Sequence, residues 1–240
     1  MKIIVGKNKD DIFQKTINLI ENVAKESIAK DNIFKIGLSG GSVATFLTIG
    51  IPKIKTDFTK WKLFFCDERN VPEDSNDSTY GFYKSALIGT SKLTEDHFIR
   101  IKQGVSAKEA AADYTEQLKR YFPGETVPKF HLLLLGMGPD GHTCSLFPNH
   151  PLLEETDEWI AAITDSPKPP SERITMTFKV VNNSKNCVFV VCGKEKAGIV
   201  KRILHNKEDL PASRVNPTSG EVYWMLDEEA AGDLQKINED

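Results

Sequence analysis

Short apolar runs alternate along the chain with longer stretches in which apolar residues recur every three or four positions. The short runs predict strands at Lys2–Val5, Phe34–Leu38, Lys62–Cys66, Phe98–Ile101 and Lys129–Leu135. Further strands are expected at Trp159–Thr164, Arg173–Val181, Cys187–Cys192 and Glu221–Leu226. Helical spacing holds from about Asp10 to Ala29, where Phe13, Ile17, Ile20, Ala24 and Ile28 fall on one face. Helices are also expected over Ser78–Leu87, Ser106–Tyr121 and Lys194–Leu204, with a short one ending near Gly50-Ile-Pro52 and a terminal one after Leu226. Ser106 and Glu109 have the spacing of a capping box, and Ala110, Tyr114 and Leu118 supply the buried stripe behind it. Strands alternating with helices imply an α/β protein with a mostly parallel sheet covered on both faces. Lys129–Leu135, the most apolar run, is the expected centre of that sheet. Pro167, Pro169 and Pro170 enforce an extended connection. No repeat or linker divides the chain, so residues 1–240 are expected to form a single domain.

Composition narrows the class. Of 240 residues, 40% are hydrophobic and 27% charged, the balance of a folded globular chain. The net charge of −3 argues against nucleic acid or an anionic membrane as the main partner. No apolar run approaches the ~20 residues of a membrane span. The opening Met1-Lys-Ile-Ile-Val-Gly lacks the features of a signal peptide. Cys66, Cys144, Cys187 and Cys192 are too few and too scattered for a disulfide framework, so a reduced, cytoplasmic protein is expected. Cys187 and Cys192 flank an apolar strand and read as core residues.

Candidate chemistry falls just after the apolar strands, in Ser39-Gly-Gly-Ser42, Asp67-Glu-Arg69, Gly136-Met-Gly-Pro-Asp-Gly-His142 and Gly193-Lys-Glu-Lys196. In an open parallel sheet these loops share the rim at the carboxyl ends of the strands, where ligands bind. Paired Gly40 and Gly41 let bare amides approach an anion at the start of a helix, so Ser39–Ser42 reads as a phosphate cradle. Gly37-Leu-Ser-Gly-Gly41 also matches a nucleophile elbow, but its only late histidine, His205, reads as a helix end. Gly136–Gly141 satisfies a dinucleotide fingerprint, yet Pro148 and Pro151 leave no room for the helix that must follow. What remains is a glycine-rich loop presenting Asp140 and His142, an imidazole base with a carboxylate to orient it. Arg69, Arg173 and Lys196 on the same rim would complete an anion site. His142, Cys144 and His150 lack zinc-site spacing, so neither metal nor cofactor is expected.

These residues together resemble a known family. Leu38-Ser-Gly-Gly-Ser42, Cys66-Asp-Glu-Arg-Asn-Val-Pro72 with Ser78-Thr-Tyr-Gly81, Gly136–Pro148, and Asp165-Ser-Pro-Lys-Pro-Pro170 with Arg173-Ile-Thr175 are similar to 6-phosphogluconolactonases of the glucosamine-6-phosphate isomerase/6-phosphogluconolactonase family, in the eukaryotic stand-alone type. The similarity runs from about Phe34 to Ala230, and the Gly136–Pro148 stretch is its most specific part. It implies the three-layer α/β/α, Rossmann-like fold of the glucosamine-6-phosphate deaminase group. It implies hydrolysis of 6-phospho-D-glucono-1,5-lactone, a small phosphosugar lactone, by a monomer or weak homodimer without cofactor. By position, His142 would be catalytic with Asp140 as its companion. Ser39, Gly40, Gly41, Ser42, Arg69, Arg173 and Lys196 would bind substrate phosphate, and Asp67 would line the pocket. Val43-Ala44 stands where many relatives carry Thr-Pro. A deaminase would carry Tyr after the Asp-Glu pair and a ring-opening Glu after the histidine loop, where this chain has Arg69 and Leu146-Phe147-Pro148. A sugar-phosphate sensor would need a DNA-binding module, for which the sequence offers neither residues nor basic charge.

Overall fold

In the computed structural model the described residues are 1–232 and 234. Nine strands and seven α-helices follow in the order β1 (Lys2–Gly6), α1 (Lys9–Asp31), β2 (Phe34–Leu38), α2 (Ser42–Gly50), β3 (Trp61–Phe65), β4 (Asp67–Arg69), α3 (Thr79–Leu87), α4 (Ala107–Tyr121), β5 (Leu132–Leu135), β6 (Ile160–Ile163), β7 (Arg173–Met176), α5 (Phe178–Val181), β8 (Asn186–Val191), α6 (Ala197–Leu204), β9 (Glu221–Asp227) and α7 (Glu228–Ala231). Six strands form one wholly parallel sheet in the order β1-β9-β8-β5-β2-β3. β5 lies inside it, and its four leucines are fully buried because side chains alternate into cores on both faces. Leu132 and Leu134 join α1, α2 and α3 on one face, while Leu133 and Leu135 join α4, α5, α6 and α7 on the other. This is the expected three-layer arrangement. No helix among the described residues is long and apolar enough to cross a membrane.

Local signals explain the elements. Asn8 caps α1 by accepting the Asp11 amide, and Asn32 ends it in a left-handed conformation at φ 56°. Of the expected stripe on α1, Ile17, Ile20 and Ala24 are buried, and Phe13 and Ile28 lie half-buried at its edges. The Ser106–Glu109 capping box forms as expected. At the amino end of β5, His131 is buried and fully engaged. Its Nδ1 accepts the Lys35 amide at 2.9 Å, and its Nε2 donates to Asp31 at 2.9 Å, where Lys185 also docks at 3.0 Å.

Two expectations fail, and one feature was not expected. Phe98–Ile101 is no strand: Phe98 makes one bridge to Leu63, after which α4 side chains take the carbonyls, Ile99 accepting from the Tyr114 hydroxyl and Arg100 from Gln117. Arg173–Val181 is not one strand either. β7 stops at Met176, and the chain turns at Thr177 into α5. A second sheet, antiparallel and ordered β4-β7-β6, was not foreseen. Cys66 joins the two sheets, donating to Leu38 at 2.8 Å and accepting from Met176 at 2.7 Å. Of the expected terminal helix, α7 covers Glu228–Ala231, and residues 233 and 235–240 lie outside the described residues.

Candidate active site

The carboxyl ends of β2, β3 and β5 open onto a cavity of about 190 Å³. Eight of the ten expected residues line it: Ser39, Gly40, Gly41, Ser42, Asp67, Arg69, His142 and Arg173. Asp140 and Lys196 stand one contact behind, on His142 and on the Met137 carbonyl. A larger open groove of about 760 Å³ beside α3 contains none of the ten.

The Ser39–Ser42 loop turns from β2 into α2 with Gly41 at φ 70°. No atom would crowd a Cβ at Gly41, so backbone conformation is what calls for glycine there. The turn leaves the Ser42 and Val43 amides without an acceptor among the described residues, while those of Ala44 and Thr45 bond back to the Gly41 carbonyl at 3.0 and 3.3 Å. Behind it, buried Glu68 ties β4 to α3, accepting the amides of Arg69 at 2.7 Å, Thr79 at 2.8 Å and Tyr80 at 2.7 Å. Burial drives the Glu68 carboxyl up to about 7 despite these donors. Ser39 Oγ, Arg69 Nε and Thr79 Oγ1 are buried without a protein partner; Ser39 belongs to this loop, Thr79 lies against Gly40, and Arg69 lines the same cavity. Such orphans cluster where a ligand supplies the missing partner.

The histidine loop leaves β5 without forming a helix, which disposes of the dinucleotide reading. His142 Nδ1 sits 2.5 Å from Asp140 Oδ1, and the ring lies 4.7 Å from Phe147. Its Nε2 has no partner among the described residues, on a ring that borders the cavity. Burial lowers the His142 pKa, Asp140 opposes that, and the charge of Lys168 reinforces it. Burial would raise the Asp140 carboxyl, but His142 and Lys168 together bring it down to about 2. Gly138 is fixed for a steric reason, since an added Cβ would overlap the imidazole at Nδ1 and Cε1. His205 ends α6 in solvent, far in role from any nucleophile. His142 and His150 engage different aspartates, and no metal-holding cluster of His, Cys, Asp and Glu occurs among the described residues.

Arg173 is more occupied than its sequence context implied. Its guanidinium donates to the carbonyls of Lys168 at 2.9 Å, Pro169 at 3.0 Å and Pro170 at 3.0 Å, fastening the proline-rich strap. Its Nη1 reaches Ser145 Oγ at 3.4 Å, and that hydroxyl donates to Asp67 at 2.8 Å. Lys168, Ser145, Glu68 and Thr79 were missed from sequence. All four lie inside stretches that carry the family resemblance, and Lys168 stands out there as a basic residue among Pro167, Pro169 and Pro170.

Comparison with known proteins agrees. The profile described as glucosamine-6-phosphate isomerases/6-phosphogluconolactonase matches residues 7–224. A human 6-phosphogluconolactonase is 45% identical over 205 residues, covering 82% of this chain and 80% of that one. A probable 6-phosphogluconolactonase of Drosophila melanogaster is 39% identical over 240 residues, covering 99% and 97%. The solved 6-phosphogluconolactonase from Trypanosoma cruzi superposes with a TM-score of 0.85 at 25% identity, covering 97% of this chain and 96% of that one.

Proposed function

The chain belongs to the glucosamine-6-phosphate isomerase/6-phosphogluconolactonase family, and we propose that it hydrolyses 6-phospho-D-glucono-1,5-lactone to 6-phosphogluconate with His142 as the base. The observation that carries this reading is the His142 ring, held by Asp140 at Nδ1 and unpartnered at Nε2 beside the cavity. A 1,5-lactone is already an activated ester, so a positioned water and a proton carrier suffice. Nε2 takes a proton from water as its oxygen bonds to the lactone carbonyl carbon, and the carbonyl becomes an oxyanion. Collapse breaks the bond to the ring oxygen, which receives the proton back from His142. Asp140 stabilises the intervening imidazolium. The oxyanion meets backbone amides or the Arg69 guanidinium.

The phosphate lies on the Ser39–Ser42 amides and hydroxyls, with Arg69, the remaining Nη1 hydrogen of Arg173, and Lys196 supplying charge. Gripping that end fixes the carbonyl against the water. Against deamination stands the absence of a carboxylate after the histidine loop, where Leu146 and Phe147 are buried apolar side chains.

The test incubates the purified chain with the lactone, with glucosamine 6-phosphate and without enzyme. Lactone loss well above the spontaneous rate, with glucosamine 6-phosphate untouched, is the expected result. Ammonia release would favour the deaminase, and binding of 6-phosphogluconate without turnover would favour a sensor.

A further inference from the structure

Lys168 is absent from the cavity lining, yet its Nζ lies 3.1 Å from His142 Nδ1 and 3.2 Å from Asp140 Oδ2. Three groups meet here, and their protons admit one consistent arrangement. At 2.5 Å from Asp140 Oδ1, Nδ1 must carry a hydrogen, because an imidazole lone pair facing a carboxylate at that distance would be repelled. Lys168 has only hydrogens to offer, so its hydrogen bond goes to Asp140 Oδ2. Its closeness to Nδ1 is then an approach of two positively polarised groups.

Asp140 alone would favour the imidazolium, since a carboxylate in contact with a histidine stabilises its charged form. A histidine held charged at neutral pH is no base. The ammonium of Lys168 neutralises Asp140 from the other oxygen and opposes a second positive charge at 3.1 Å.

The lysine is not there by chance of a floppy side chain. Its carbonyl accepts from Arg173 at 2.9 Å and from Ser166 Oγ at 2.8 Å, and its amide donates to Ser166 Oγ at 3.3 Å. The residue that sequence assigned to phosphate thus also holds the strap that delivers Lys168.

We propose that Lys168 is a positioning residue that keeps His142 uncharged and available as a base near neutral pH, by sharing Asp140 with it. Other charged groups face His142 from each neighbouring element. Asp67 and Arg69 come from β4, Arg173 from β7, and Lys196 from the segment after β8 through Met137. Asp67 favours the imidazolium, so the balance is set by Asp140 and Asp67 against Lys168 and burial.

The inference deepens the lactonase reading, and its kinetic half rests on that reading. The experiment therefore has two readouts. One is the His142 titration followed by NMR in the unliganded protein, with His142→Asn identifying the resonance. The other is the acidic limb of kcat/KM for the lactone. Lys168→Met and Lys168→Gln are expected to move both midpoints up by about half to one pH unit. Lys168→Arg, which keeps the charge, should leave them near wild type. A merely structural role would lower the rate at every pH with neither midpoint displaced. A His142 midpoint in both neutral variants equal to or below wild type overturns the proposal. Should the wild-type chain fail to hydrolyse lactone, the functional reading falls, while the NMR titration still decides the role of Lys168.

Discussion

Two groups of the same composition stand at opposite ends of β5. At its amino end, His131, Asp31 and Lys185 meet. Beyond its carboxyl end, His142, Asp140 and Lys168 do. In both, a histidine contacts an aspartate that a lysine shares. The difference that matters is what the second ring nitrogen does. His131 is 4% exposed and has both ring nitrogens spoken for, one by a backbone amide. His142 has one nitrogen fixed and the other open beside a cavity. The backbone donor forces His131 to stay neutral, and burial takes its pKa down to about 4. The first group is therefore mortar between α1, β2 and β5, and the second is available for proton transfer. Residue type alone does not distinguish them; the accounting of hydrogen-bond partners does.

The sharpest way to break this contrast is to remove each ring. His142→Ala should cut turnover by roughly 10²–10⁴-fold with the urea midpoint nearly unmoved. Turnover within a few-fold of wild type would remove the proposed distinction. His131→Ala strands the Lys35 amide and opens a buried gap, so it should cost roughly 2–4 kcal/mol in urea denaturation and leave kcat near wild type.

Acid sharpens the same difference. With a folded pKa near 4 against an ordinary 6.5, His131 binds its proton in the unfolded chain first. Its contribution is intact above 6.5 and is lost as pH falls toward 4, worth on the order of 3 kcal/mol. Glu68, raised to about 7, acts with the opposite sign between 4.5 and 7, but equally in both proteins. Hence the stability difference between wild type and His131→Gln should shrink as pH drops from 6.5 to 4, and a constant difference would refute the assignment.

The cations give smaller effects. Lys196→Ala should raise KM for the phosphorylated lactone by roughly 10–100-fold, with little change for unphosphorylated gluconolactone. Equal losses on both would take Lys196 out of the phosphate site. The smallest effect belongs to Lys185→Met, whose partner is a third exposed, with less than about 1 kcal/mol of stability at stake and no change in any catalytic pH profile.

The main sheet was legible because each of its strands is an apolar run long enough to stand out, β5 most of all. The second sheet was not, because β4 is three polar residues that, among the described residues, pair with β7 alone, more than a hundred positions later. Runs such as Arg173–Val181 mislead, since the four-residue helix appended to the strand continues the alternation of Ile174, Met176, Phe178 and Val180 with polar residues as if the strand went on. In the site, loops following strands were readable as a rim, and glycines marked where backbone lines the cavity. Roles carried by contacts were hidden. That Arg173 spends most of its hydrogens on three carbonyls, or that Lys168 reaches Asp140 from a proline-rich connection, depends on the fold already being closed.

Gly138 makes the chemical step fragile in a particular way. The ring of His142 occupies the volume that any side chain at 138 would claim, while the amides and cations proposed to hold the phosphate lie on other segments. One methyl group could thus uncouple capture from turnover. An enzyme of this architecture stands a single codon away from becoming a reporter of its own substrate, and a Gly138→Ala chain would be a ready-made trap for crystallising the unreacted lactone.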